Sequence, residues 1–420
     1  MPTPFRPRAR GAALATAALI ALLQASGPAL ADPLTFEQSL ARAEAVPDLR
    51  ASDLSVAAAR SGAQAAGRLP DPELTFGVDN FPVSGPMAGR FGDDEMTMAR
   101  IGLMQSVPSG ARRRAERAVA DADIGVAEAR TETLRRDVRL AAGLAWIDLH
   151  YAGQKRRAVE DILATLEPLW EAAPAGVASG ADRPATALAP VRLRAGLEDR
   201  LSALRADEAR ARAELTRWTD DPAPTPAGPP PQVEIDPTAL RAGLDRLPSL
   251  RAYGAAGTRA EADVALARAG RRPDWAFEVD YGRRDPMFGD MISVGARVRL
   301  PLFADQRQDP VIAARSSDAL RARVERDAAI RALRAQLDGD LADHVMHHDQ
   351  WLRARDVILP DALRRSDLET ASYGAGRAGI GEVLEAFTDV ADARLETLDR
   401  EAAVARDAVR LSLAYGSSDQ

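Results

Sequence analysis

The chain has 420 residues, no cysteine, and 62 acidic against 55 basic side chains, a formal net charge of −7. That balance argues against a nucleic-acid partner, whose phosphates demand a cationic surface. The missing cysteine removes thiolate metal sites, thiol nucleophiles and an N-terminal lipidated cysteine. With only 5% aromatics and abundant Ala, Arg, Leu, Asp and Glu, the composition is that of long helices rather than a compact enzyme core.

Residues 1–31 read as a secretory signal: Arg6, Arg8 and Arg10, an apolar run from Gly11, and the small-residue ending Ala29-Leu30-Ala31. Cleavage there would start the mature chain at Asp32 and leave a net charge of about −10. An uncleaved anchor is the alternative. No second stretch of about 20 apolar residues exists, so a helical membrane span is excluded.

The rest of the chain reads as a tandem duplication. "PELTFGVD" from Pro72 corresponds to "PDWAFEVD" from Pro273, "IGLMQSVP" to "VGARVRLP", and "ILATLEPLWEAAPAGVASG" from Ile162 to "ILPDALRRSDLETASYGAG" from Ile358. The first repeat, 32–219, predicts a helix over Leu34–Ala66, a β-hairpin over 72–107, and a long helical hairpin with its tip near 173–185. A Pro-rich linker, 220–236, separates it from the second repeat, 237–420. That repeat predicts a helix over Pro237–Gly270, a β-hairpin over 274–300, and a long helical hairpin from about Asp305 to Leu413 with its tip near 373–381. Ile330, Leu333, Leu337, Leu341 and Val345 form a narrow coiled-coil-like stripe.

The four strands alternate almost strictly. Leu74, Phe76 and Val78 oppose Glu73, Thr75 and Asp79; Trp275, Phe277, Val279 and Tyr281 oppose Asp274, Glu278 and Asp280; Ile292, Val294 and Val298 oppose Arg297 and Arg299. In "MTMARIGLMQSVP", Arg100 shares a side with Met96, Met98 and Met104, and a charge on a lipid face costs about 2 to 4 kcal/mol near the midplane, so that side faces a lumen. A soluble half-buried sheet has the same period. Export, the aromatic outer face and the lack of anything else to cover it favour a membrane barrel. Four strands cannot close alone, and open edges are not tolerated in lipid, so an oligomer is required; a trimer closing twelve strands is the simplest. The polar lumen would then carry Glu73, Asp79, Arg100, Asp280, Arg297 and Arg299.

With these segments, "LPDPELTFGVDNFPV", "MTMARIGLMQSVPSGARRRAERA" and "RPDWAFEVDYGRRDPMFGDMISVGARVRLPLF", and the duplicated layout, the chain resembles the TolC-type outer membrane factors, most closely the CzcC/CusC-like branch of heavy-metal efflux. The resemblance implies an α+β membrane protein. Each protomer of a homotrimer gives four strands to a twelve-stranded outer-membrane barrel and long coiled-coil helices to a periplasmic α-barrel. It also implies a periplasmic adaptor (membrane fusion protein), an inner-membrane RND-type transporter and outer-membrane lipid as partners, no cofactor, and a passive duct for heavy-metal cations. The same duct for drugs, and a soluble periplasmic coiled-coil scaffold, stay open as rivals.

In "SYGAGRAGIGEVLEAF", Tyr373, Gly376 and Arg377 followed by Glu382 and Glu385 are similar to the family's tip motif, which implies a periplasmic aperture lined by both acids. Rings of like carboxylates focus cations at a constriction; the bland alternative is a pair of first-turn acids favoured by the helix dipole. His344, His347 and His348 have chelating spacing for Zn or Cu, although His348 also continues the apolar stripe through Leu341 and Val345. The three methionines Met96, Met98 and Met104 make a weak soft-metal ladder, and His150 reads as structural. No phosphate loop, nucleophile motif or acid–base pair points to an enzyme.

Overall fold

A computed structural model describes residues 33–178 and 188–416, with backbone alone for 172–178. The expected signal segment and the tip near 173–185 lie outside the fully described residues. Helices α1 (Phe36–Ala43) and α2 (Pro47–Ala65) lead into β1 (Glu73–Asp79) and β2 (Met98–Val107), then α3 (Gly110–Ala178) and α4 (Leu188–Thr219). The second half repeats the order: α5 (Pro237–Gly243) and α6 (Pro248–Ala269), β3 (Asp274–Arg283) and β4 (Met291–Arg299), then α7 (Ala304–Arg353), α8 (Leu359–Gly374) and α9 (Ile380–Arg410).

Prolines set several boundaries that hydrophobic periodicity blurs. The single helix expected over 34–66 is two, because Pro47 restricts Val46 to extended backbone and then starts α2 as its first helical residue. Pro248 splits 237–270 in the same way. Pro360 lacks the N–H an α-helix needs, and the chain passes it through a π turn, Ala354–Ile358, closed by the Leu359 N–H on the Ala354 carbonyl. Side chains cap the starts: Thr35 and Gln38 bond each other's backbone N–H groups at α1, and Asp236 accepts from Thr238 and Ala239 at α5.

The chain forms two compact units, each assembled from pieces of both halves. The first comprises, of the described residues, 33–43, 141–178, 188–231 and 350–405. Its core holds Val159, Ile162 and Leu166 of α3, Leu197 and Leu201 of α4, and Ala391 of α9, all buried. The start of the Pro-rich linker is tied down here. Leu34 bridges Pro226, the Leu34 carbonyl accepts from Trp146 Nε1 at 2.8 Å, and Arg42 pairs with Asp221 at 2.7 Å. Trp146 is fully buried between Phe36, edge-on at 5.7 Å, and His150, stacked at 5.0 Å.

The second unit comprises residues 44–140, 232–349 and 406–416. Its helical core gathers Leu244, Leu247, Leu337, Leu341, Leu411 and Tyr415. The expected stripe on α7 holds through Leu341 but not Val345, which is 61% exposed. Successive steps of four residues drift about 40° around a 3.6-residue helix. Asp340, bonded to the Tyr415 hydroxyl at 2.6 Å, and His347 take the inward positions instead. This unit also carries the sheet, an antiparallel meander in the order β1-β2-β3-β4.

Candidate functional site

The sheet register places the side chains on two opposed faces. Phe76 lies opposite Ile101, which faces Tyr281, which faces Ile292; Leu103, Val279 and Val294 make the next row. This apolar face is bare: Phe76 is 84% and Val294 79% exposed. The opposite face carries Glu73, Asp79, Arg100, Asp280, Arg297 and Arg299, together with Asp274 and Glu278. Arg100 lies 3.0 Å from Asp79, 3.4 Å from Asp280 and 3.8 Å from Glu278, and Arg297 pairs with Glu278 at 2.7 Å. Asp280 is only 9% exposed.

The usual order of burial is therefore inverted, with the polar face the better covered. In water, leaving aromatic and branched side chains uncovered forgoes about 25 cal/mol for each Å². Among the described residues nothing pairs with the outer edges of β1 and β4. Gly102 sits in the middle of the charge network, and a β-carbon there would collide with the Asp280 carboxylate and Thr75 Oγ1. Glycine thus lets Asp280 cross the strand to reach Arg100. Glu278 and the Gly102 requirement were missed by sequence reasoning: strand alternation puts Glu278 on the correct face, but cross-strand partners depend on register.

The methionines do not form a ladder. Met96 precedes β2, Met98 packs over Gly282, and Met104 Sδ accepts from Arg297 at 3.6 Å.

At the turn between α8 and α9, the Arg377 N–H bonds the Ser372 carbonyl and the Gly376 N–H bonds that of Tyr373, both at 2.9 Å. This is a Schellman stop, and it needs Gly376 at a positive φ of 68°. Tyr373 packs with Ile380 and Leu384. Val383, Leu384 and Ala386 are buried while Glu382 and Glu385, three residues apart, share the exposed side of α9. Glu385 lies 3.3 Å from Arg365, which also pairs with Asp389; Arg377 and Glu382 have no ion-pair partner among the described residues. The Arg365 contact was invisible in sequence because it joins two helices across the turn.

The three histidines do not converge on one point. His347 Nδ1 is 2.7 Å from the buried Asp407 on α9, while the His344 and His348 rings are 6.4 Å apart. Among the described residues no three His, Asp or Glu side chains are placed to hold a metal. His344 and His347, not His348, continue the packed side of α7, and burial lowers the His344 pKa. His150, held by Trp146 and by Gln154 at 2.6 Å, is likewise shifted down by burial, with Arg157 adding to the effect.

A chain of long helices bearing a four-stranded sheet with a bare apolar face and a charged back has the fold of outer-membrane channels. The chain aligns with CusC, which forms a transmembrane channel (TM-score 0.76, 17% identity, 91% of this chain and 92% of that one). It aligns equally with the CmeC outer membrane channel of Campylobacter jejuni (0.75, 12%, 91% and 85%) and with the open state of the Neisseria gonorrhoeae MtrE outer membrane channel (0.75, 17%, 91% and 89%). Residues 240–417 match the outer membrane efflux protein family. No curated protein matches the chain in sequence. The resemblance to TolC-type outer membrane factors is thereby borne out, and the matches do not single out the CzcC/CusC-like branch.

Proposed function

We propose that the chain is one protomer of an outer-membrane exit duct, the passive end of a tripartite efflux pump. The observation that carries this reading is the inverted sheet: apolar side chains uncovered, charges gathered behind, and two unpaired edges. Only a closed barrel satisfies such edges in lipid. Three copies joined β4 to β1 give twelve strands, above the eight of the smallest barrels. In that assembly the two repeats, 32–219 and 237–420, are a tandem duplication joined by 220–236. The signal segment directs export, and the protein is held by its barrel without a lipid anchor. A periplasmic adaptor and an inner-membrane RND-type transporter complete the pump, and the chain performs no catalysis.

On the lumen face, five carboxylates (Glu73, Asp79, Asp274, Glu278, Asp280) stand against three guanidiniums (Arg100, Arg297, Arg299). Three copies make a cation-favouring wall. Glu382 and Glu385 line the periplasmic aperture beside Tyr373, Gly376 and Arg377, and the cargo is heavy-metal cations. Metal against drug sensitivity of a deletion strain separates this cargo from drugs in the same duct.

Planar-bilayer recording tests the duct. The full-length protein is expected to give discrete cation-favouring conductance, and Glu382→Ala with Glu385→Ala is expected to weaken block by divalent cations. Absence of any conductance from correctly assembled protein defeats the duct; unchanged block in the double variant removes the aperture assignment alone.

A further inference from the structure

The two ends of the sheet carry opposite charge. The segments that join the strands to the helices, 67–72, 108–117, 270–273 and 300–309, hold eight arginines and four carboxylates, whereas the far loops, 80–97 and 284–290, hold two arginines and five carboxylates. At the helix end Arg68, Arg114, Arg117, Arg272 and Arg307 are all exposed and form no ion pair among the described residues; Arg68 and Arg117 each donate Nε to the carbonyl four residues back, that of Gln64 and of Arg113. At the loop end Arg90 is consumed by Asp93 at 2.9 Å, and Arg284 donates to the carbonyls of Gly289, Phe288 and Glu95.

These arginines share that end of the sheet with uncovered apolar side chains: Leu69, Trp275, Leu300, Leu302 and Phe303 are each between 45% and 74% exposed. Aromatic and leucine side chains beside unpaired guanidiniums match a membrane–water boundary, where the apolar stems reach hydrocarbon and the charged heads meet phosphate. A helical tunnel bathed only in water has no use for this pairing of groups. Arginine also presents a planar fork of donors that engages phosphate oxygens two at a time.

Resting on the outer-membrane reading above, we propose that this rim is a binding site for anionic phospholipid headgroups of the leaflet on the helix side, such as phosphatidylglycerol. The rim fixes the depth and orientation of the barrel: the acidic loops are repelled from anionic lipid while the basic rim is drawn to it. Each guanidinium near an anionic surface contributes about fivefold in affinity, weakening with salt.

Trp275 supplies the reporter. Full-length protein is reconstituted in phosphatidylcholine bilayers containing either brominated phosphatidylglycerol or brominated phosphatidylcholine, and quenching of Trp275 emission gives the relative affinity of the two lipids at the rim; Trp275→Phe defines the background from the other tryptophans. The expected result is about a tenfold or greater preference for phosphatidylglycerol at low salt, shrinking toward one in high salt, and largely lost in the combined Arg114→Gln, Arg117→Gln, Arg272→Gln and Arg307→Gln protein. The corresponding lysine variants should retain most of it. At matched ionic strength, replacing chloride by inorganic phosphate should leave the preference in place; its selective abolition would assign the arginines to free phosphate and overturn the lipid site. Equal quenching by the two lipids in the unmodified protein also overturns it, even where the combined variant does not fold. Conductance is recorded in the same bilayers: channels without lipid preference overturn this site alone, whereas no conductance and no quenching defeat the duct and the rim together.

Discussion

The first unit and the sheet of the second bury opposite chemistries. Around Trp146, Leu166 and Leu197 the apolar groups are inside, and ion pairs such as Arg200 with Asp392 lie toward solvent. In the sheet Phe76 and Val294 are bare while Asp280 is covered. Both obey the same rule, that apolar surface leaves water. The difference is what the outer-membrane reading requires, in which lipid rather than water meets the sheet's outer face.

Mutations can break the contrast from either side. The largest effect is expected from Trp146→Ala, which empties a fully buried site and removes the bond to Leu34; a loss of about 3–5 kcal/mol in denaturant unfolding of the first unit is predicted, with the barrel's conductance retained in molecules that stay folded. Next comes Val294→Arg. In a bilayer folding titration it should cost about 2–4 kcal/mol, whereas arginine at Leu54, equally exposed but on a helix, should change stability by less than about 0.5 kcal/mol. Equal costs at the two positions would erase the distinction. Gly102→Ala sharpens it, because the new β-carbon displaces Asp280 from Arg100; about 1–3 kcal/mol of barrel stability should be lost, and Asp280→Ala should relieve the part of the clash that the carboxylate makes, leaving that with Thr75 Oγ1.

The smallest effect is the pH response of the helical regions. Burial holds His150 and His344 below the ordinary histidine value, so the unfolded chain binds protons that the folded chain refuses. Their contribution is full above about pH 6.5 and is lost progressively as pH falls through and below that value. The thermal midpoint should drop between pH 7 and pH 5, and His150→Gln should flatten the drop.

Much of this was legible in the chain itself. Strict alternation in "PDWAFEVDY" and "ISVGARVRL" assigned every sheet residue to its face, because a period of two leaves no freedom once one face is chosen. The doubled element order was readable for the same reason. What failed depended on partners distant in sequence. Asp407 lies 60 residues from His347, yet its carboxylate is that ring's partner at 2.7 Å, a pairing that spacing on α7 alone does not show. Arg365 reaches Glu385 across a turn, and Asp280 reaches Arg100 only because Gly102 has no side chain. Pro47 and Pro248 each split what apolar periodicity presents as one helix.

The absence of cysteine makes the central claim directly measurable, since any introduced thiol is alone. Single substitutions along β4, Ile292→Cys through Arg297→Cys, are to be reacted in reconstituted bilayers with a water-soluble thiol reagent. An outer-membrane duct predicts period-two labelling, with Ser293→Cys, Gly295→Cys and Arg297→Cys reactive from the lumen and Ile292→Cys, Val294→Cys and Ala296→Cys shielded by lipid. Uniform labelling of all six positions, or the reverse alternation, would contradict it.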